Sequence, residues 1–285
     1  MIDLHVHSTF SDGTYTPTEL IKLAKSHNMQ AMALTDHDTI AGNKEAMLAA
    51  QSYGIEFING MEMGLNYNDH QIHVVALGFD MNNEVFQEFY ADLRYKKENS
   101  IVNVIDYLKK QGIDISVEKV EPFVADNALD KYAILRYLVA SKSSEGDVQY
   151  LWDTYIDPAF TKLNLKLTEN PKAEDAIYAI KAAGGKTSLA HYHKGIGLKN
   201  YSRSEQEQQI KYLHEMGLDG MEAMYPNYTD EDREFASYLI TKYNLLATGG
   251  TDFHGANRPS VQLGSGINGN MNVPYSFWQK LQASV

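Results

Sequence analysis

The chain has 285 residues, of which 44% are hydrophobic, and it carries a formal net charge of -12 at pH 7 and no cysteine. This composition is typical of a globular protein, excludes disulfides and thiolate metal sites, and argues against a broad surface for long nucleic acid. No apolar run approaches the roughly 18–20 residues of a membrane span, and the N-terminus does not read as a signal peptide. We therefore expect a cytoplasmic protein without a membrane partner.

The first third of the chain alternates strand and helix signals. Thr16, Pro17 and Glu19 supply a capping threonine, a proline at the first helical position and a glutamate at the third. This signature predicts a helix that runs to about His27. A second helix is expected at 43–53, and strands are expected at 2–7, 31–35, 55–61 and 71–79.

The pattern changes after residue 81. A polar helix is expected at about 83–111, and 113–165 is expected to be mostly helical without strand alternation. Alternation then returns, with helices expected at 172–183, 205–216, 230–243 and 275–283 and strands at 186–190, 219–223 and 245–248. We therefore expect an α/β fold with a mainly parallel sheet formed by 1–81 and 169–285, interrupted by an inserted helical cap at 82–168.

Histidines and carboxylates lie at or near the ends of these strands, where a parallel sheet gathers distant residues at one edge. His5 and His7 are two apart on a strand and share a face, and Asp252 and His254 repeat that spacing. Taken alone, Asp12 is a common turn residue and His73 is more often a core histidine, so only the whole set indicates a metal site. The nine candidate ligands are His5, His7, Asp12, His37, Glu62, His73, His191, Asp252 and His254.

The set resembles the PHP (polymerase and histidinol phosphatase) family of metal-dependent phosphoesterases. This resemblance implies a distorted (β/α)7 barrel. Within the family the chain is most similar to phosphatases that act on AMP and nucleoside 3′,5′-bisphosphates, because of Asp12 in place of His, the helical insertion, and Glu222 followed by Tyr225-Pro226. The matching motifs are His5-Val6-His7, Ser11-Asp12-Gly13, Thr35-Asp36-His37-Asp38, Gly60-Met61-Glu62, His73, Ala190-His191 and Gly250-Thr251-Asp252-Phe253-His254-Gly255.

The resemblance also implies how the ligands are shared. The expected cofactors are two or three divalent ions, either Mn, Fe or Zn, with Glu62 as a bridge and a metal-bound hydroxide as the nucleophile. The implied ion positions are His5, His7, Glu62 and Asp252 for the first, Glu62, His73 and His191 for the second, and Asp12, His37 and His254 for the third.

Other residues are candidates for handling the substrate. His193 is a candidate proton donor, and it could equally be a supporting or an exposed residue. Lys194 and Arg258 are candidate phosphate contacts, for which a solvated surface charge is the competing interpretation. The subgroup usually carries an Arg-Pro-His type motif near 130–133, where this chain has Lys131, a candidate substrate contact.

We expect a small phosphorylated substrate, such as a nucleotide, and the oligomeric state stays open. Two departures bear on the substrate, because the motif near Lys131 is altered and Tyr192 follows His191 where the family usually has proline. The alternatives are a 5′→3′ exoribonuclease that acts on short 5′-phosphorylated RNA, a histidinol phosphatase, and a non-catalytic metal-binding domain. The last is disfavoured because degenerate family members lose ligands, whereas all nine positions are filled here.

Overall fold

The computed structural model describes residues 1–125, 129–142 and 146–285. These residues form two compact units, one made of Met1–Phe89 and Lys172–Val285 and the other of Tyr90–Pro171. The expected insertion, 82–168, begins before Tyr90 and ends before Pro171, the bounds of the second unit. Its role as a cap stays a prediction. None of the described helices is long and apolar enough to cross a membrane.

The first unit is built on a sheet of seven described strands that lie side by side in the order of the chain. Neighbouring strands are parallel except around the fourth, which runs antiparallel to both of its neighbours. The strands are β1 (Ile2–Asp3), β2 (Ala31–Leu34), β3 (Glu56–Tyr67), β4 (His70–Leu77), β5 (Lys186–Leu189), β6 (Gly220–Met224) and β7 (Leu246–Gly249). The expected α/β fold with a mainly parallel sheet is therefore confirmed.

The two edges of this sheet approach each other through the segments that follow β1 and β7. Val6 forms a parallel bridge with Phe253, and the Leu4 N–H donates to the Gly249 carbonyl at 3.1 Å. Among the described residues β1 and β7 do not pair as strands, so the closed barrel stays a prediction. A short separate hairpin, β8 (Val261–Gln262) and β9 (Gly266–Ile267), follows and was not expected.

Twelve α-helices are described, and some of them begin at a side chain that caps the first turn. Thr16 and Glu19 form the predicted capping box at the first helix, and Ser202 with Glu205 does the same later in the chain. The helices are α1 (Pro17–Ser26), α2 (Asn43–Tyr53), α3 (Glu84–Lys110), α4 (Val117–Val120), α5 (Lys131–Lys142), α6 (Val148–Leu151), α7 (Asp157–Lys162), α8 (Leu165–Thr168), α9 (Ala173–Ala182), α10 (Arg203–Met216), α11 (Asp230–Tyr243) and α12 (Tyr275–Gln282).

Helices pack on the sheet through apolar stripes. Leu20 and Ile21 of α1 are buried in one apolar cluster with Met32 and Leu34 of β2. Burial of each such side chain stabilises the fold by about 1.5–3 kcal/mol, so the sheet is a rigid base for the segments that leave its strands.

The β3–β4 hairpin corrects one sequence-based prediction. We expected separate strands at 55–61 and 71–79, with Glu62 just past the end of the first. In the structure β3 continues to Tyr67, and Asn68 and Asp69 form the two-residue turn into β4, both with positive φ. Glu62 and His73 therefore lie inside paired strands, where the ladder fixes their backbone positions.

The second unit is helical in its described residues, as expected for 113–165 apart from 126–128 and 143–145, which lie outside the described residues. Its apolar cluster includes Ile105 and Leu108 of α3 and Leu135 and Leu138 of α5. The unit therefore has a hydrophobic core of its own.

Candidate metal centre

The first cluster of potential ligands forms where the segments after β1 and β7 run side by side. Asp252 N–H donates to the His5 carbonyl at 2.9 Å, which sets the two segments in register. His5 Nε2 lies 3.0 Å from Glu62 Oε2, and His7 Nε2 lies 3.1 Å from Asp252 Oδ1. Ligand atoms of His5, His7, Glu62 and Asp252 all lie within 4.8 Å of one another, the set expected for the first ion.

A second cluster joins His7 to the three residues expected for the third ion. His254 Nε2 lies 3.3 Å from Asp12 Oδ1, and the His37 and His7 rings stack at 4.4 Å between centroids. His7, Asp12, His37 and His254 offer ligand atoms within 4.8 Å of one another. His7 therefore faces two clusters, whereas the sequence-based set assigned it to one.

The third cluster surrounds Glu62. His73 Nδ1 and His191 Nε2 each lie 2.9 Å from Glu62 Oε1, and His37 Nδ1 lies 3.1 Å from Glu62 Oε2. The group with mutually close ligand atoms is His37, Glu62 and His73. His37 was not expected in this set, and His191, which was expected, contacts Glu62 but is not part of the group. Burial, together with the nearby Lys194, lowers the pKa of His191 to about 3, so its imidazole is neutral at pH 7, the form that binds metal.

Unpartnered buried atoms test whether this donor set fits a cation. Buried polar atoms are nearly always hydrogen-bonded. Across residues 1–125, 129–142 and 146–285, however, His5 Nε2, His7 Nε2, Asp12 Oδ1 and Glu62 Oε2 are buried without a hydrogen-bond partner. Imidazole nitrogens and carboxylate oxygens suit Mn, Fe and Zn alike, so the residues fit divalent ions.

Neighbouring charges shift the pKa values of the residues in these clusters. Burial alone would raise the pKa of Glu62, but the His5 and His37 rings hold it well below its usual range. Burial alone would lower the pKa of His7, but the adjacent carboxylates of Asp252 and Glu62 outweigh burial and raise the pKa to about 9. Positive charge at this point is thus stabilised by the surrounding carboxylates.

Three polar side chains converge on the other oxygen of Asp252. Arg258 Nη1 lies 2.6 Å, the Tyr225 hydroxyl 2.7 Å and Lys194 Nζ 3.2 Å from Asp252 Oδ2. Burial would raise the pKa of Asp252, but nearby cations, with Lys194 the strongest, hold it well below its usual range. Asp252 Oδ1 is left facing His7, and both candidate phosphate contacts lie beside the clusters.

The remaining candidates lie in different places. His193 is half-buried, with its ring edge-on to Tyr228 at 4.9 Å, and burial lowers its pKa. Its Nδ1 is buried without a hydrogen-bond partner among the described residues. Lys131 belongs to the other unit, where its Nζ lies 5.1 Å from the Tyr132 ring centre, so its expected substrate contact stays a prediction.

Several buried carboxylates that contact the ligands or their backbone segments were given no role in the sequence analysis. Asp36 accepts from the Ser8 N–H at 2.7 Å and from the Ser11 hydroxyl at 2.6 Å, which fixes the turn between His7 and Asp12. Asp3 fixes the segment before Asp252 by accepting from Thr251, and Glu222 contacts His5. The sequence feature that could have indicated such a role is a charged residue inside an apolar run, as at Asp3 and Glu222.

Known proteins share this sequence pattern and this fold. The family model described as PHP domain matches residues 3–191. The chain is 32% identical over 255 residues to the 5′-3′ exoribonuclease of Haemophilus influenzae, which is 88% of this chain and 89% of the relative. It is 28% identical over 286 residues to the 3′,5′-nucleoside bisphosphate phosphatase of Chromobacterium violaceum, which is 100% of this chain and 97% of the relative.

A solved structure has the same fold. A structure from Bifidobacterium adolescentis, described as a metal-dependent phosphoesterase, aligns with a TM-score of 0.84 at 26% identity and covers 99% of this chain and 96% of its own.

Proposed function

Because the chain belongs to the PHP family of metal-dependent phosphoesterases, we propose that it hydrolyses a small phosphomonoester, a nucleotide such as AMP or a nucleoside 3′,5′-bisphosphate. The observation that carries the proposal is the position of Lys194 and Arg258. Both contact one oxygen of Asp252 while the other oxygen faces the ligand cluster. A phosphate group bound by these two cations would therefore lie next to the ions.

The nine candidate residues are proposed to hold two or three divalent ions, either Mn, Fe or Zn, with Glu62 shared between them. Such ions polarise phosphoryl oxygens and lower the pKa of water toward neutrality. Glu62 supports this role because its two oxygens face different imidazoles, with His73 and His191 on Oε1 and His5 and His37 on Oε2. No protein nucleophile is needed for this chemistry.

The proposed substrate contacts divide the remaining work. The Arg258 guanidinium matches the geometry of two phosphate oxygens, and the Lys194 ammonium supplies a point charge. His193 is proposed to deliver a proton to the leaving alkoxide. Phosphate oxygens would compete with Asp252 Oδ2 for the N–H donors of Lys194 and Arg258.

Two finer features accompany this proposal. The bridge between Val6 and Phe253 supports the distorted (β/α)7 barrel, because it brings the ends of the sheet together. The altered stretch at Lys131 supports a part for the second unit in substrate selection, since the metal ligands alone do not distinguish one phosphoester from another.

A second candidate function is a 5′→3′ exoribonuclease that acts on short 5′-phosphorylated RNA. It is favoured by the relative from Haemophilus influenzae, whose name states that activity and which matches over most of both chains. The net charge of -12 argues against a long basic track for RNA, so the polymer would have to be short.

A phosphatase screen tests both candidates. The protein is supplied with Mn²⁺, and release of phosphate or nucleotide is measured from AMP, a 3′,5′-bisphosphate, histidinol phosphate and a short 5′-phosphorylated RNA. We expect the largest kcat/KM on one of the first two, and no turnover after chelation. Preference for RNA would select the second candidate. A metal-loaded sample inert toward all four would support a non-catalytic metal-binding domain.

A further inference from the structure

Glu222 connects two candidate ligands that lie in different strand segments. It belongs to β6, next to β5, and is only 2% exposed. Its Oε1 lies 2.7 Å from His5 Nδ1, and its Oε2 accepts the backbone N–H of His191 at 2.6 Å. One carboxylate therefore contacts the side chain of one ligand and the backbone of another.

We propose that Glu222 is a positioning residue that sets the metal affinity of the centre through His5 and His191 together. The inference rests on the proposed function, because it needs those two residues to be ligands. Glu222 would act without contacting an ion or the substrate, because its two carboxylate oxygens contact His5 and the backbone of His191.

The contact with His5 determines which ring nitrogen carries hydrogen. A carboxylate offers only acceptors, so the hydrogen of the 2.7 Å contact lies on Nδ1. Nε2 is then the nitrogen that offers a lone pair to a cation, and it lies 3.0 Å from Glu62 Oε2. An acceptor behind a ligating imidazole both orients the ring and raises its basicity.

The contact with His191 holds an unusual backbone. His191 has a φ of 27°, a region that non-glycine residues rarely adopt. The 2.6 Å hydrogen bond from its N–H to Glu222 fixes this conformation. The ring then reaches Glu62 Oε1 at 2.9 Å, so a change at Glu222 would displace His191 from the cluster.

Substitution of Glu222 by glutamine keeps the shape of the side chain but removes its charge and one of its two acceptor oxygens. An amide has one oxygen and one NH2 group, so it cannot accept from both partners. If its oxygen accepts from His191, its NH2 faces His5 Nδ1 and favours the tautomer that is protonated on Nε2. If it is turned over, the His191 N–H loses its acceptor. Either orientation weakens one ligand without changing side-chain volume.

The experiment measures Zn²⁺ dissociation constants of Glu222→Gln, the wild type and a matched control by titration calorimetry. The control is Glu169→Gln, a buried glutamate of the other unit that contacts Ser100 and Lys97. We expect Glu222→Gln to bind Zn²⁺ about 10–100-fold more weakly and Glu169→Gln to match the wild type. Histidine ¹⁵N spectra of the Zn²⁺-loaded proteins should show a changed ring tautomer, or a displaced histidine, only in Glu222→Gln.

Each outcome bears on one claim. Equal Zn²⁺ affinity in Glu222→Gln and the wild type would overturn the positioning role. Equal weakening in Glu169→Gln would overturn it as well, since the loss would then come from general destabilisation. A wild type that binds no Zn²⁺, Mn²⁺ or Fe²⁺ would contradict the proposed function itself, which keeps the two failures distinct.

Discussion

Two buried glutamates, one in each unit, have opposite surroundings. Glu169 of the second unit accepts from the Ser100 hydroxyl at 2.5 Å and lies 3.3 Å from the Lys97 ammonium. Glu62 of the first unit is fully buried, and its Oε2 has no hydrogen-bond partner in the part of the chain that the structure describes. The neighbours of Glu62 are imidazoles, which are themselves potential metal ligands, whereas Glu169 is paired with a lysine of its own chain.

The contrast shows how a structural buried charge differs from a binding site. A carboxylate that meets a cation of its own chain is complete, and its removal affects folding. A carboxylate surrounded by imidazoles and by polar atoms without hydrogen-bond partners needs an external cation. Its removal affects metal binding and turnover. Similar burial therefore predicts different consequences of substitution at Glu62 and at Glu169.

The largest effect is expected for Glu62→Gln. Loss of the shared carboxylate should lower kcat/KM by about 1000-fold or more, since each ion supplies several kcal/mol of transition-state stabilisation. Metal content measured on the purified protein should fall, while the far-UV circular dichroism spectrum stays that of a folded chain. Near-normal turnover with full metal content would disprove the shared role of Glu62.

Glu169→Gln should produce the opposite pattern. The neutral amide leaves Lys97 buried beside a weaker partner, so the free energy of unfolding should fall by about 1–3 kcal/mol. Urea unfolding measures this loss, and metal content and kcat/KM measured below the transition should equal those of the wild type. Loss of metal in this variant would erase the distinction between the two carboxylates.

A smaller effect is expected from pH. The raised pKa of His7, about 9, means that this ring carries a proton at pH 7. A ligand must be deprotonated, so a bound ion displaces that proton and also one from His5, whose pKa the Glu62 and Asp252 carboxylates hold well above its usual value against the effect of burial. The apparent affinity should therefore rise at least about tenfold per pH unit up to about pH 9. Calorimetry of Zn²⁺ binding in buffers of different ionisation enthalpy measures proton release directly. No release at pH 7 would argue against His7 as a ligand.

The elements that could be predicted from the sequence are those set by local chemistry. The capping box of Thr16 and Glu19 placed the start of α1 correctly, and α11 was expected at 230–243, where it lies. The β3–β4 hairpin was missed because the Asn68-Asp69 turn was not recognised and because β3 is too uniformly buried to show alternation.

The site was only partly predictable for a related reason. The spacing of histidines and carboxylates after strands indicated the clusters, because strand order brings those residues together. His7 belongs to two clusters because of the orientation of its ring, and the spacing of residues in the sequence does not determine that orientation. Glu222 was not given a role because its partners, His5 and His191, are remote in sequence and one of them uses only its backbone.

The bridge between Val6 and Phe253 has a consequence for the order of folding. Glu62 and His73 lie on one hairpin and can meet early, whereas His5 and Asp252 lie far apart in the sequence and meet only after a very long loop has closed. A nascent chain that ends at His191 lacks Asp252 and His254 and cannot complete the first cluster. If these residues hold the proposed ions, full metal occupancy would require that synthesis has passed residue 254 and that the segments after β1 and β7 have docked.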